Sequence, residues 1–545
     1  MFNKLNNNKS LIVLFILICF VLFYKLGAYG VVESSEARYA EISRAMYLSG
    51  DYIHPNLMGI HHYHKPPLTY IITALGYKFF GINPFGARFF LQIALLLQLI
   101  LIYKLTCLLT KNKRLAIWAS LIYFSFPIVL ISVRNLTTDA YLNTFSLLAI
   151  YVWVLYKDKA KIKYLYAFTL SLAIGFLIKG PLIFIAPVFF IIFYNFYIKK
   201  KFKFTYHHFF AWLLFFIIGF SWYLYLYYEN HQFLNYFIGY QTFDRFAKND
   251  FNRSEPFWYF IILAPILGFP WLILPIKNWL KNVPFFKVKS LEFVLIWSLL
   301  LPIIFFSLSV SKRVLYILPL YGFTAILIAI QLDKYKVSTF TKIIIFGFTS
   351  LILSALTLGA FFNIGYIIPL KVSYFGILGF LFFGILLLSK NTALKNKIVL
   401  SPFIAMSALL LSYPNLAKAN IIKHNTPKAI TEFIKKNHLE KSTTIVYNRF
   451  LPSIAFNLNK SIITLNNGYG SLNGKKRDTR FEKNNLWKKH LIDLRKASEV
   501  NYYKKLIKKP NVLIILNKDA KVDSLSWLIK PYSKVKKLNK WRVYY

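Results

Sequence analysis

Apolar runs of helix-spanning length alternate with short lysine-bearing loops along the first three quarters of this chain. A membrane span needs roughly 20 mostly apolar residues. Runs of that kind lie near 11–29, 85–110, 115–133, 138–156, 164–178, 181–198, 207–228, 257–280, 291–310, 313–331, 341–362, 373–389 and 398–414. They predict an α-helical polytopic membrane protein of about thirteen transmembrane helices. The segment 66–82, which opens Pro66-Pro67-Leu68-Thr69-Tyr70, is amphipathic and ringed by Tyr and Phe, so it is expected to lie flat at the interface. Residues 1–30 lack a small-residue cleavage site after the apolar run and read as a retained helix.

Lysine placement orients the spans. Lys4 and Lys9, then clusters at 111–114, 157–163, 199–203, 277–289, 334–342 and 390–397, occupy alternate loops. The positive-inside rule makes those loops cytoplasmic. The loops 30–84 and 229–256 and the tail beyond 414 then face outward. Residues 1–414 are therefore expected to form a transmembrane domain, with 30–84 as its first outer loop. In the tail, 427–437 reads as an amphipathic helix, 443–447, 461–465 and 511–516 as short strands, and 466–470 and 473–474 as turns. These features predict a small extracytoplasmic α/β domain over 415–545.

Composition changes the picture in two respects. The chain of 545 residues is 57% hydrophobic, but it carries 67 Lys and Arg against 20 acids, a net charge of +47. The tail alone has 29 basic residues against 8 acids, a net of +21. Beside a bilayer such a surface favours anionic lipid headgroups or phosphorylated glycans. Nucleic acid, the other partner such charge suggests, is excluded by an outward-facing tail. Cys19 and Cys107 both fall within apolar runs, so no disulfide framework is expected. No P-loop, dinucleotide fingerprint or nucleophile elbow occurs, which argues against a nucleotide-driven machine.

The chemistry gathers in the outward loops. Glu33, Glu36 and Glu41 follow the first helix, with Arg38 and Arg44 interleaved. At i,i+3 spacing Arg38 and Glu41 are placed to pair on a helix surface. Glu36, ringed by aromatics, is a candidate general base. Lys65 sits between His64 and Pro66-Pro67, where the extended backbone restrains it as a phosphate partner; the structural alternative is a snorkelling lysine. Asp139 offers a second carboxylate at the start of a helix, where it can equally serve the helix dipole beside a capping Thr137 or Thr138. Lys179, Arg245, Lys312 and Arg313 reach the same face from separate segments. Two acids facing several cations suit proton abstraction from a hydroxyl with neutralisation of a phosphate. His54, His61, His62 and His64 crowd one stretch; a divalent metal is one reading and a polar loop the other.

Glu36-Ala-Arg-Tyr-Ala-Glu-Ile, Gly50-Asp51, Lys65-Pro-Pro-Leu, Phe80-Gly81 with Ala87-Arg88, Lys179-Gly-Pro, Pro256-Phe-Trp-Tyr and Ser311-Lys312 with Tyr316-Ile-Leu-Pro occur in this order. Together they resemble the aminoarabinose–lipid A transferases and the wider protein O-mannosyltransferase-like group of GT-C membrane glycosyltransferases. The resemblance spans roughly residues 10–330. It implies an inverting enzyme that takes a sugar from a polyprenyl-phosphate-linked donor on the outer side of the inner membrane. The acceptor would be a lipid, glycan or protein. It also implies Glu36 and Asp139 as catalytic groups, with Arg38, Tyr39, Lys65, Lys179, Arg245, Lys312 and Tyr316 binding donor phosphate and sugar. This chain departs from the family pattern at Ser35, which replaces an aspartate, at His64, which replaces a glutamate, and at Gln241-Thr242-Phe243-Asp244, where Glu-His is usual. No cofactor is assigned, and the metal stays open.

Two other classes compete with an enzyme. A transporter or flippase of lipid-linked glycans calls for charges at mid-membrane and broken helix pairs, and a scaffold leaves Glu36, Lys65 and Asp139 freely replaceable. The enzyme reading predicts that a folded Lys65→Ala protein loses sugar transfer from a polyprenyl-phosphate donor. Undiminished transfer by that variant would remove Lys65 from the phosphate site.

Overall fold

A computed structural model describes residues 8–33, 35–199, 204–244, 254–272, 290–363, 365–424, 427–468, 481–482, 486–520 and 526–545. The chain forms two compact units. One contains residues 1–25, 64–69 and 89–416, and the other residues 26–63, 70–88 and 417–545.

The first unit is helical. Every apolar run named above has a helical counterpart, from Asn8–Phe23 through Pro84–Thr110 to Leu394–Ala419. Seven described helices are long and apolar enough to cross a membrane, or eight if Lys113–Phe124 and Pro127–Arg134 make one bent span. The sequence suggested about thirteen. The difference lies in how the runs divide. Ile162–Ile198 counts as one apolar stretch of 37 residues, and Asp139–Lys159 is 21 residues long but is not among the seven. The run near 313 opens with a 3₁₀ turn before its α-helix from Leu320. The run near 257 is a helix from Tyr259 to Leu267, and its part beyond 272 lies outside the described residues. Bulky apolar side chains remain exposed along whole helices, as at Phe209, Phe210, Phe216 and Ile217, or Leu381, Ile385 and Leu388. In water such faces would be buried; in a multi-pass membrane protein they meet lipid.

Two breaks shape this unit, and each coincides with a proline. Pro127 opens a new helix that diverges by 61° from its predecessor, as expected where the ring cannot donate to the preceding turn. Farther on, Ile162–Lys179 ends at Gly180, whose φ of 69° suits glycine, and a 3₁₀ turn over Gly180–Phe184 leads into Ile185–Ile198. The reading of 164–198 as two helices matches this break. Cys19 and Cys107 are both free.

The second unit is α/β. A small hairpin pairs β1 (Asn56–Leu57) with β2 (Ile60–His61). The main sheet has β3 (Thr443–Tyr447), β4 (Ile463–Asn466), β5 (Leu491–Asp493), β6 (Val512–Asn517), β7 (Val535–Leu538) and β8 (Trp541–Tyr544), in the order β5-β4-β3-β6-β8-β7. The first four strands in that order are parallel, while β8 pairs antiparallel with both β6 and β7. Both faces are covered, so alternate residues of β6 enter different cores. Leu513 and Ile515 join Ile430, Ile454 and Val543, while Ile514 and Leu516 join Ile492, Tyr503 and Leu528. The first of these cores also takes Ile42 and Met46 from helix Ser35–Ser49, so the loop after the first span folds as part of this sheet domain. Helix Lys428–Lys436 and strands β3, β4 and β6 fall where the sequence puts them. The turn at 473–474 lies outside the described residues.

The loop is tied down by Arg88, whose guanidinium is fully enclosed. It donates to both oxygens of Glu36 at 2.7 and 2.8 Å and to the carbonyls of Leu26, Tyr29 and Gly30. The Tyr29 ring lies 3.9 Å below it. Removing one partner of such a pair strands a buried charge, which costs about 3–5 kcal/mol. Arg88→Met should therefore lower unfolding stability by that amount and expose 30–60 to protease, read by denaturation midpoint and limited proteolysis. A shift below about 1 kcal/mol would mean that the guanidinium does not organise the loop.

Candidate functional site

Within the helical unit, Asp139 and Lys179 pair directly. Asp139 opens helix Asp139–Lys159, and Lys179 closes Ile162–Lys179. Thr138 is the cap position but makes no side-chain capping bond, so the capping expected from Thr137 or Thr138 is absent. The carboxylate instead faces the ammonium, and Lys179 also lies 4.9 Å from the centre of the Tyr316 ring. Tyr316 belongs to a 3₁₀ turn, Val314–Ile317, and packs against Phe306 with the rings tilted by 41°. The pocket lined by Asp139, Lys179, Leu182, Phe306, Tyr316 and Leu320 leaves about 10 Å3, the scale of one water molecule. An acid, an ammonium and a phenol therefore share one small apolar recess.

The helix that carries Asp139 is fixed by a buried amide network. Gln98 donates to the Ala140 carbonyl and to Thr144 Oγ1, while its own oxygen accepts from Tyr123. Asn143 donates to Tyr123 in turn. Four polar residues thus lock the first turns of this helix against its neighbours, with little freedom for the carboxylate above them.

The other polar residues of this unit take different positions. Lys312 is buried and donates to the carbonyls of Glu255 and Ser309 at 2.8 and 2.5 Å, beside a bridge between Ser254 and Ser311. Burial holds its ammonium below the usual lysine range. Arg134 donates to the Val21 and Leu22 carbonyls, so it anchors the end of the first helix. Arg313 is exposed and Lys65 is half-buried just before helix Leu68–Phe80. Arg245 lies outside the described residues. Gln241 is buried and its amide donates to Tyr236.

In the sheet-bearing unit Glu36 is the partner of Arg88, and it also accepts from the Val32 amide. Tyr39 packs on Tyr70 at 5.3 Å, and Arg38 lies half-buried between the charge of Glu33 and these rings. Glu41 pairs with Arg44, not with Arg38 as the spacing suggested, in a two-bond arrangement with both N···O distances 2.7 Å. Two of the four histidines turn to carboxylates: His54 meets Asp51 at 2.8 Å and His61 meets Glu482 at 3.1 Å. Among the described residues no group of three or more His, Cys, Asp or Glu could hold a metal ion.

Two roles escaped the sequence reading. In sequence Arg88 stands only within the motif Ala87-Arg88, with no role assigned, although an arginine entering an apolar helix with no acid nearby in sequence is itself a signal. Glu33 accepts from the Ser453 amide in the first turn of helix Pro452–Leu458, while its other oxygen is enclosed without a partner among the described residues.

Comparison with known proteins follows this geometry. Residues 10–237 match the family model of dolichyl-phosphate-mannose-protein mannosyltransferases. The chain is 33% identical over 355 residues to an undecaprenyl phosphate-alpha-4-amino-4-deoxy-L-arabinose arabinosyl transferase of Proteus mirabilis, covering 62% of each. A Pseudomonas fluorescens protein of the same description is 30% identical, with 56% of each covered. The match thus spans about three fifths of these relatives or less. In structure the chain follows ArnT from Cupriavidus metallidurans bound to undecaprenyl phosphate, with a TM-score of 0.76 over 98% of both chains at 19% identity. The fold is therefore GT-C.

Burial lifts the Glu33 carboxyl to about 7, against the opposing pull of Ser453 and Arg38. An acid whose folded pKa is raised stabilises the fold fully below its unfolded pKa, and this contribution is lost as pH rises through about 7. Wild type should accordingly lose on the order of 1–3 kcal/mol between pH 5 and 8, and Glu33→Gln should flatten that slope. Denaturation midpoints at the two pH values test this; parallel slopes for both proteins would refute it.

Proposed function

We propose that this protein is a membrane glycosyltransferase that moves a sugar from a polyprenyl-phosphate-linked donor to a lipid acceptor. The relatives' descriptions and the undecaprenyl phosphate held by the structural neighbour support the donor chemistry. A lipid rather than a glycan or protein acceptor rests on the sequence resemblance to aminoarabinose–lipid A transferases. The observation that carries this reading is the buried Asp139–Lys179 pair with Tyr316, in a chain whose whole length follows a structure holding undecaprenyl phosphate.

The reaction requires two electrostatic tasks. A hydroxyl proton must leave the acceptor as its oxygen attacks the anomeric carbon, and the departing phosphate must keep its extra charge. Asp139 is suited to the first. It is held at the head of a locked helix, and its charge is balanced by an ammonium that can turn to another anion. Lys179 is suited to the second. When the donor phosphate enters, the ammonium exchanges a carboxylate for a phosphate, which releases Asp139 to accept the proton. Lys65 and Arg245 would add cations for the same phosphate. Lys312 holds the loop that leads to Tyr316, and its two carbonyl bonds suit a positioning role. Glu36 has both oxygens engaged by Arg88, which favours Asp139 as the base.

The lysine-rich alternate loops and this assignment together support a periplasmic reaction face of the inner membrane, with residues 415–545 on that side. A flippase is disfavoured because the paired charges sit at helix termini, with Asp139 at the start of one helix and Lys179 at the end of another.

Purified protein incubated with radiolabelled polyprenyl-phosphate sugar and envelope membranes should move label into the lipid fraction. Asp139→Asn should lower kcat by about 10²- to 10⁴-fold, while Lys179→Met should lower kcat/KM for the donor by about 10²-fold or more. Transfer at the wild-type rate by Asp139→Asn would eliminate Asp139 as the base. Donor crossing the bilayer without transfer would replace the enzyme by a transporter.

A further inference from the structure

The sheet-bearing unit contains a second recess, far more open than the first, of about 490 Å3. Small-molecule sites generally fall between about 300 and 1,000 Å3. Its walls come from helix Ser35–Ser49, the following turn with Asp51 and His54, the β1–β2 hairpin and Ser461. The polar groups on those walls are held in advance. Glu41 and Arg44 grip each other through two bonds, and Arg44 extends to Asn459 at 3.2 Å. Asp51 accepts from the amides of Ile53 and His54 and pairs with the His54 ring. His61 is held against Glu482, with its ring stacked on Tyr63 at 5.4 Å. Leu48 and Met58 supply apolar surface to the same recess.

Charge narrows the choice of ligand. In a unit whose tail carries a net +21, this lining, drawn from residues 41–61 and Ser461, sets two carboxylates, Glu41 and Asp51, against one guanidinium, with Glu482 paired to His61. Arg44 is already neutralised by Glu41. The recess is therefore poorly matched to a phosphate, although most of the domain surface would attract one. It presents planar acceptors and donors at fixed angles together with an apolar wall. This is the combination that a sugar ring satisfies, with hydroxyls meeting carboxylate, guanidinium and imidazole and its C–H face lying on the exposed Leu48, while Met58, buried in the core, closes the floor. Because each polar side chain is already restrained by a partner, little side-chain entropy is lost when hydroxyls bind.

We propose that this recess is a carbohydrate-binding site for an uncharged mono- or disaccharide unit, separate from the Asp139–Lys179 recess. It does not depend on the transferase reading, since binding is measured without turnover. The test is saturation-transfer NMR on the full-length protein in detergent. The probes are glucose, N-acetylglucosamine, the N-acetylglucosamine disaccharide and glucose 6-phosphate. At least one uncharged sugar should bind with half-saturation on the order of 1 mM, and glucose 6-phosphate should bind more weakly than glucose. Ser461→Trp, at an exposed position that touches none of the ion pairs, should fill the recess and weaken binding at least about tenfold. Asp51→Asn should weaken it with the overall fold intact by circular dichroism. No transfer from any uncharged sugar would overturn the proposal. So would binding that Ser461→Trp leaves unchanged, or a preference for glucose 6-phosphate. Asp139→Asn should bind these sugars normally, so loss of transfer and loss of binding are separable.

Discussion

Asp139 and Lys179 neutralise each other in a recess of the helical unit that is otherwise apolar. An isolated charge in such surroundings would be costly, whereas a pair is stable and can exchange partners when another anion arrives. Much of the helical unit is arranged to maintain that pairing. The proline-marked break at Gly180–Phe184 ends one helix where its last lysine is needed. The amide network of Gln98, Tyr123, Asn143 and Thr144 fixes the helix whose first residue is the acid. The turn that carries Tyr316 brings an aromatic face to the ammonium.

The sheet-bearing unit handles its charges by the same rule but for a different purpose. Arg88 gathers Glu36 and three carbonyls into one buried knot, Glu41 takes Arg44, and His54 and His61 take Asp51 and Glu482. Here the pairs order a loop that is too polar to pack on its own. Ile42 and Met46 then fasten it to the sheet core. Glu33 is the exception, with one oxygen enclosed and unmatched among the described residues, and its titration accordingly reaches toward neutrality.

This division separates residues that look alike in sequence. Glu36 and Asp139 are both acids near the end of a hydrophobic helix, and each could have been a base. Their partners distinguish them, and the proposed function rests on that difference: an arginine that also binds three carbonyls does not readily release its carboxylate, whereas a lysine held by one carboxylate and a ring is suited to turn to a phosphate. Lys179 and Lys312 differ in the same way, one paired with an acid and the other spent on carbonyls.

The sequence by itself determined the helical membrane architecture, because apolar runs of span length have few alternatives in water. It also determined the break at Gly180-Pro181 and the strands β3, β4 and β6, whose apolar runs are read locally. Strands β5, β7 and β8 were hidden, since β5 is three residues long and β7 reads Val-Lys-Lys-Leu, a polar edge with no buried face to betray it. The candidate acids and cations were visible as residue types. Which of them meet was settled only by tertiary structure, because Asp139 and Lys179 are forty positions apart and Glu36 and Arg88 fifty-two. Pairing across such distances depends on how helices and loops pack, and no local pattern records it.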